Sequence, residues 1–204
     1  MDAPPDASMR QRCPGSITQR FAAPPGASGP PWPARPAIAA GCHAEPGLNA
    51  WFDGTHQGRR VFHHIQVGIA VDTPDGLVVP VIKDVDRKGI GELSRELGAV
   101  SKKARDGKLT PDDLAGKTFS VTNPGLKGNL VGGAIISQPN VGILRLGTIK
   151  KRVVVVERDD QDLMAIHPVM YMALTYDHRI VDGVHANGFL YRISEILEQG
   201  DFEM

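Results

Sequence analysis

Proline is spread so unevenly along this chain that one uniform fold cannot cover it. Ten of the 16 prolines fall in residues 1–47, where Pro, Ala and Gly together fill 25 positions. Each proline removes a backbone donor and pushes the residue before it away from helix, and few large apolar side chains are present to offset ordering entropy. Residues 1–47 are therefore expected to be disordered, or not native to the domain that follows, and order is expected from Leu48. Cys13 and Cys42 both fall in this tract and read as incidental exposed thiols.

The 204 residues carry 23 Lys and Arg against 23 Asp and Glu. A formal net charge of zero argues against a sequence-independent grip on nucleic acid. Apolar runs are broken too soon to span a membrane. Two cysteines are too few for a disulfide framework. The composition is that of a soluble protein of a reducing compartment.

Residues 48–204 are patterned. Val61, Ile65, Val67, Ile69 and Val71 keep largely to odd positions, the period of a strand. Thr73-Pro74-Asp75-Gly76 is a turn, and residues 77–82 make a second strand, so an antiparallel hairpin is predicted. Ile90, Leu93, Leu97, Val100 and Ala104 mark one helix. Thr110-Pro111-Asp112-Asp113 opens another, with a capping hydroxyl, Pro at the first helical position and acids in the first turn. Strands follow at 118–122, 141–146, 153–156 and 169–176, and a helix containing Phe189, Ile193, Ile196 and Leu197 closes the chain. The pattern predicts an α+β fold with a mixed or mostly antiparallel sheet.

One constellation could carry chemistry. Tyr176-Asp177-His178-Arg179-Ile180-Val181-Asp182-Gly183 lies where an apolar strand ends and the last helix begins. Imidazole changes charge between about pH 5 and 8, so His178 is placed to serve as a general base. A solvated strand-end histidine is the plain alternative. No metal site is expected, because His178 and Asp182 supply two ligands and no third lies close in sequence. Thr122 ends a strand before a glycine-rich loop that lacks the Gly-Lys-Ser/Thr ending of a phosphate loop. Its hydroxyl is free to face an oxyanion or to be satisfied locally. His63 and His64 are expected on opposite faces of a strand, and His167 and His185 have no supporting neighbours.

The segment Asp177-His178-Arg179-x-x-Asp182-Gly183 resembles the active-site signature of the acyltransferase component of 2-oxo acid dehydrogenase complexes. The run from Val67 to Asp86 resembles the family's hairpin. Arg105-Asp106-Gly107-Lys108-Leu109, Thr118-Phe119-Ser120-Val121-Thr122-Asn123-x-Gly125, Ile135-Ile136 and Val141-Gly142-Ile143-Leu144 continue the likeness in order.

The resemblance implies a chloramphenicol acetyltransferase-like two-layer fold, with a mixed β-sheet packed by helices and the active site between subunits. It implies acyl transfer between a dihydrolipoyl thioester and coenzyme A, with His178 as base, Thr122 as oxyanion donor and Asp182 organising the turn. The lipoyl group would be supplied by another domain or chain. The implied assembly is a homotrimer that builds a cubic or dodecahedral core, with the decarboxylase and dihydrolipoamide dehydrogenase components as partners. The cytoplasm is the implied location, or the mitochondrial matrix in a eukaryote. On this reading residues 48–204 are a partial catalytic domain. Its rivals are a core subunit that does not turn over and a free-standing acetyltransferase of the chloramphenicol type.

Overall fold

Alternation of β-branched residues with small or polar ones builds the centre of the molecule. The computed structural model describes residues 15–22, 34–55 and 58–200. Among these, β1 (Gly15–Ala22), α1 (Ala34–Ala44), β2 (Ala50–Asp53), β3 (Gly58–Val61), β4 (Val67–Ile69), β5 (Val71–Thr73), β6 (Gly76–Val78) and β7 (Val81–Ile82) come first. They are followed by α2 (Ile90–Arg105), α3 (Pro111–Leu114), β8 (Phe119–Thr122), β9 (Gly142–Leu146), β10 (Lys150–Arg158), β11 (Gln161–Tyr176) and α4 (Gly183–Gln199).

The main sheet runs β1-β11-β9-β8-β4-β7, with β10 also paired to β11. β8 is parallel to both β4 and β9, whereas the other pairs are antiparallel. The fold is α+β with a mixed sheet, as the sequence predicts. β11 is long enough to serve two neighbours in turn: residues 161–169 pair with β10, and residues 169–176 pair with β1.

The predicted hairpin forms, but in two pieces. β4 pairs with β7, and β5 pairs with β6 in a separate small sheet closed by Gly76 at φ +121°, a value that suits glycine. His63 and His64 lie in a bend between β3 and β4, so neither is on the strand that alternation suggested. Asn49 shapes that bend by donating from Nδ2 to the carbonyls of Phe62 and His64, at 2.8 and 2.9 Å.

Helix ends follow local chemistry. The last turn of α2 carries Lys102, Lys103 and Arg105, which complement its dipole. Thr110 and Asp113 form a reciprocal capping box on α3. Asp182 caps α4, and Gly200 ends it in the left-handed conformation.

The largest departure from the sequence expectation lies before Leu48. Residues 34–44 form a helix, and Ala37, Ile38 and Cys42 are buried in the common core with Phe189 and Ile193 of α4. Residues 15–22 form a strand along β11. The domain's order thus begins well ahead of residue 48. Cys42 is likewise no exposed thiol: it is buried, and burial pushes its pKa well above the ordinary thiol range. Cys13 lies outside the described residues. No described helix is long and apolar enough to cross a membrane.

Candidate active site

β11 delivers its last buried residue, Tyr176, and the chain then turns sharply through Asp177-His178-Arg179. The Asp177 amide donates to the Val141 carbonyl at 2.8 Å, and its own carbonyl accepts from the amides of Ile180 and Val181, both at 3.0 Å. Its carboxylate accepts three bonds from Arg179, from the backbone amide at 3.1 Å and Nε at 2.9 Å to Oδ1 and from Nη2 at 2.5 Å to Oδ2. The same guanidinium lies 3.9 Å from the centre of the Phe52 ring, which ties the turn to β2. The hydrogen bond from Arg179 draws the Asp177 pKa below the usual carboxylate range, against the opposing effect of burial.

His178 is exposed at the apex of this turn, and its ring stands 5.4 Å from that of Tyr176. Asp182 follows at the N-cap of α4, where Oδ1 accepts from the His185 amide at 3.0 Å. That hydrogen bond is the main reason the Asp182 pKa is lowered, and the charges of His185 and His178 act in the same direction. His178 and Asp182 thus share one turn. Among the described residues, no group of three or more His, Cys, Asp or Glu is arranged to hold a metal ion.

Thr122 is elsewhere. It ends β8 and lines a cavity of about 770 Å³ with Ile38, Leu97, Asn123, Leu126 and Lys127. Its hydroxyl makes no hydrogen bond to a described residue. Lys127 pairs with Asp72 of β5 at 2.5 Å, which joins the loop after Thr122 to the small hairpin. Gly125 in that loop lies against the backbone of residue 147. A Cβ placed on it would come within 2.3 Å of the Gly147 carbonyl, so only glycine fits the loop as it stands.

The sheet register separates Thr122 from the histidine turn. Thr122 is level with Arg145, and Arg145 with Ala173, whereas Tyr176 is level with Gly142 at the other end of β9. Ala173 to Tyr176 is about 10 Å of extended strand, and β8 lies two strand spacings, again about 10 Å, from β11. His178 is further out still. Proton transfer needs contact at about 3 Å, so the two side chains do not meet within one chain.

Glu45, which no motif marks, and His185, which has no supporting neighbours in sequence, adjoin the turn. Nδ1 of His185 donates to Oε2 of Glu45 at 2.7 Å, a pairing across 140 residues that no local pattern could reveal. His167 is paired in register with Arg152, within the β10–β11 ribbon and away from the turn.

The molecule is thus a mixed sheet packed by helices, with a histidine turn beyond one end of β11 and the Thr122 hydroxyl at the opposite end of the sheet. Residues 35–203 match the family described as 2-oxoacid dehydrogenases acyltransferase (catalytic domain), and the chain belongs to this family. It is 45% identical over 160 residues to the dihydrolipoyllysine-residue succinyltransferase component of the 2-oxoglutarate dehydrogenase complex of Bartonella vinsonii subsp. berkhoffii. That alignment covers 77% of this chain and 38% of the relative, so the chain spans well under half of that protein's length.

The fold is similar to that of a probable dihydrolipoamide acetyltransferase from Listeria monocytogenes, with a TM-score of 0.82 and 30% identity over 91% of this chain and 84% of that one. It is also similar to the dihydrolipoamide acetyltransferase of Azotobacter vinelandii, whose structure addresses a serine, a histidine and an asparagine in the catalytic mechanism. There the TM-score is 0.80 at 27% identity, over 91% of this chain and 82% of that one. Chloramphenicol acetyltransferase shares the fold alone, with a TM-score of 0.60 at 15% identity over 92% of this chain and 89% of that one.

Proposed function

We propose that the chain is the acyl-transferring core of a 2-oxo acid dehydrogenase complex, moving an acyl group between a dihydrolipoyl thioester and coenzyme A. Both are substrates, and the lipoyl group arrives on another domain or chain. The observation that carries this reading is the placement of His178 and Thr122 at opposite ends of one sheet. Such a site is complete only when His178 of one subunit meets Thr122 of the next, as the homotrimer implied by the family provides.

His178 takes the proton from the coenzyme A thiol, because the thiolate is the nucleophile and free thiols titrate near 8.5. The new S–C bond forms at the thioester carbonyl, whose oxygen gains the charge. The Thr122 hydroxyl of the neighbouring subunit donates to that oxyanion. Collapse of the intermediate breaks the bond to the dihydrolipoyl sulfur, and His178 returns its proton there. A positioned base contributes about 10²–10⁴-fold and one oxyanion donor about 10²–10³-fold.

The histidine and asparagine of the Azotobacter protein stand four residues apart, as His178 and Asp182 do here. On this reading Asp182 is an acid in place of the amide, and Thr122 is the counterpart of the serine. Either Asp or Asn can cap a helix, which supports an organising role for Asp182 over proton transfer.

The larger core, the decarboxylase and dihydrolipoamide dehydrogenase partners and a cytoplasmic location belong to the same proposal. The test is to measure mass in solution and acyl transfer from acyl-coenzyme A to dihydrolipoamide, with succinyl-coenzyme A first because of the Bartonella relative. A trimer whose activity is abolished in His178→Ala supports the reading. A trimer without activity makes the chain a non-catalytic core subunit. Transfer to a chloramphenicol-type hydroxyl but not to dihydrolipoamide makes it a free-standing acetyltransferase.

A further inference from the structure

We propose that Glu45, acting through His185, is a positioning residue that holds the turn carrying His178. The inference rests on the reading of His178 as the catalytic base. Glu45 sits at a fixed corner. Its amide donates to the Gly41 carbonyl at 2.9 Å at the end of α1, and its carbonyl accepts from the Leu48 amide at 3.1 Å in the short 3-10 turn Pro46–Leu48. From that corner the carboxylate crosses to the first turn of α4 and accepts from the His185 ring at 2.7 Å. The backbone amide of His185 donates to Asp182, the cap that ends the His178 turn. One residue thus connects the two acids, by its ring to Glu45 and by its backbone to Asp182.

An exposed ion pair ordinarily stabilises little, and the His185 side chain is 62% exposed. Two further observations distinguish this pair. Glu45 lies against Gly188, one turn along α4, where an added Cβ would come within 2.6 Å of Oε1. Glycine at 188 leaves room for the carboxylate where it stands, and a side chain there would push it aside. Glu45 and His185 also line a small cleft of about 250 Å³ together with Ile180 and Val181, two residues of the His178 turn itself. A negative charge here also suits the N-terminus of a 17-residue helix.

The experiment compares Glu45→Ala, Glu45→Gln, Gly188→Ala and the Glu45→Ala/His185→Ala double variant by steady-state kinetics and by hydrogen exchange of residues 177–182. Gly188→Ala is the informative variant: alanine favours helix over glycine, so α4 gains stability while the carboxylate is displaced. The expected result is a kcat about tenfold to a hundredfold lower in Glu45→Ala and Gly188→Ala with KM for coenzyme A unchanged, as small misplacements of a reacting group produce. Glutamine can still accept from the ring, so Glu45→Gln restores most of the loss. The double variant is no worse than Glu45→Ala, because both changes break one connection.

Exchange in residues 177–182 should quicken in Glu45→Ala but not in Glu45→Gln, a readout independent of turnover. Unchanged exchange in Glu45→Ala overturns the proposal, as does an unchanged kcat in active Glu45→Ala protein. A wild-type chain without transfer activity would sink the functional reading, and exchange would still decide the clamp.

Discussion

Thr122 and His178 occupy opposite ends of one sheet, the first level with Arg145 and Ala173, the second beyond the Tyr176–Gly142 pair. A site that needs both must be shared between chains. Co-refolding His178→Ala with Thr122→Ala should therefore regenerate complete sites, each combining His178 of one chain with Thr122 of its neighbour. Random mixing in a cyclic trimer leaves about a quarter of sites intact. Activity in the mixture should rise to about a quarter of wild type. Activity no greater than the average of the two parents would mean that each chain builds its own site.

The Asp177–Arg179 pair should be a source of acid-sensitive stability. Its lowered folded-state pKa means that the stabilisation is complete above the unfolded value near 3.9, and is lost as pH falls through the folded value below it. Arg179→Ala leaves a buried carboxylate short of donors and should cost about 1–3 kcal/mol at pH 7. Urea unfolding of variant and wild type should converge once the pH drops below the folded value. Parallel curves at all pH values would contradict the assignment.

Asp113 should titrate at about 2, held down first by the Thr110 amide and then by the Thr110 hydroxyl and Lys103. Its contribution is present above the unfolded value near 3.9 and disappears as pH falls towards 2. Carboxyl NMR titration reads this directly. Thr110→Val removes the hydroxyl but not the amide, so the midpoint should move upward part of the way, and an unmoved midpoint would show that the hydroxyl contributes nothing.

Ile38 is fully buried and lines the cavity beside Thr122. Ile38→Ala should destabilise the domain by about 2–5 kcal/mol, the usual cost of emptying a core position. Chemical unfolding checks this, and a change below about 0.5 kcal/mol would mean that α1 does not belong to the core.

Gly125 has no room for a side chain against the Gly147 backbone. Gly125→Ala should shift the loop after Thr122 and lower kcat about a hundredfold while the histidine turn stays intact, since small displacements of a reacting group are costly. Unaltered kcat would show that the loop can move without disturbing Thr122.

Local pattern was enough to read much of this protein. Alternation gave most of the strands from Val67 onward but not residues 161–168 of β11, three-and-four spacing gave α2 and α4, and Thr110-Pro111 marked the start of α3. The candidate site residues His178, Asp182 and Thr122 stood out because their neighbours in sequence form recognisable turns and strand ends. What failed was α1. A small, alanine-rich helix gains its stability from packing against α4, and its own composition carries little sign of that.

Local spacing alone was enough for most elements after Leu48 and for the side chains at their ends, because those depend on residues a few positions apart. Only the tertiary structure decided that Thr122 and His178 are held apart, that Glu45 reaches His185 over Gly188, and that Cys42 is buried. Each of these depends on sheet order or on packing between elements distant in sequence. A hydrogen bond across 140 residues has no periodic signature, and it exists only once the core has brought α1 against α4.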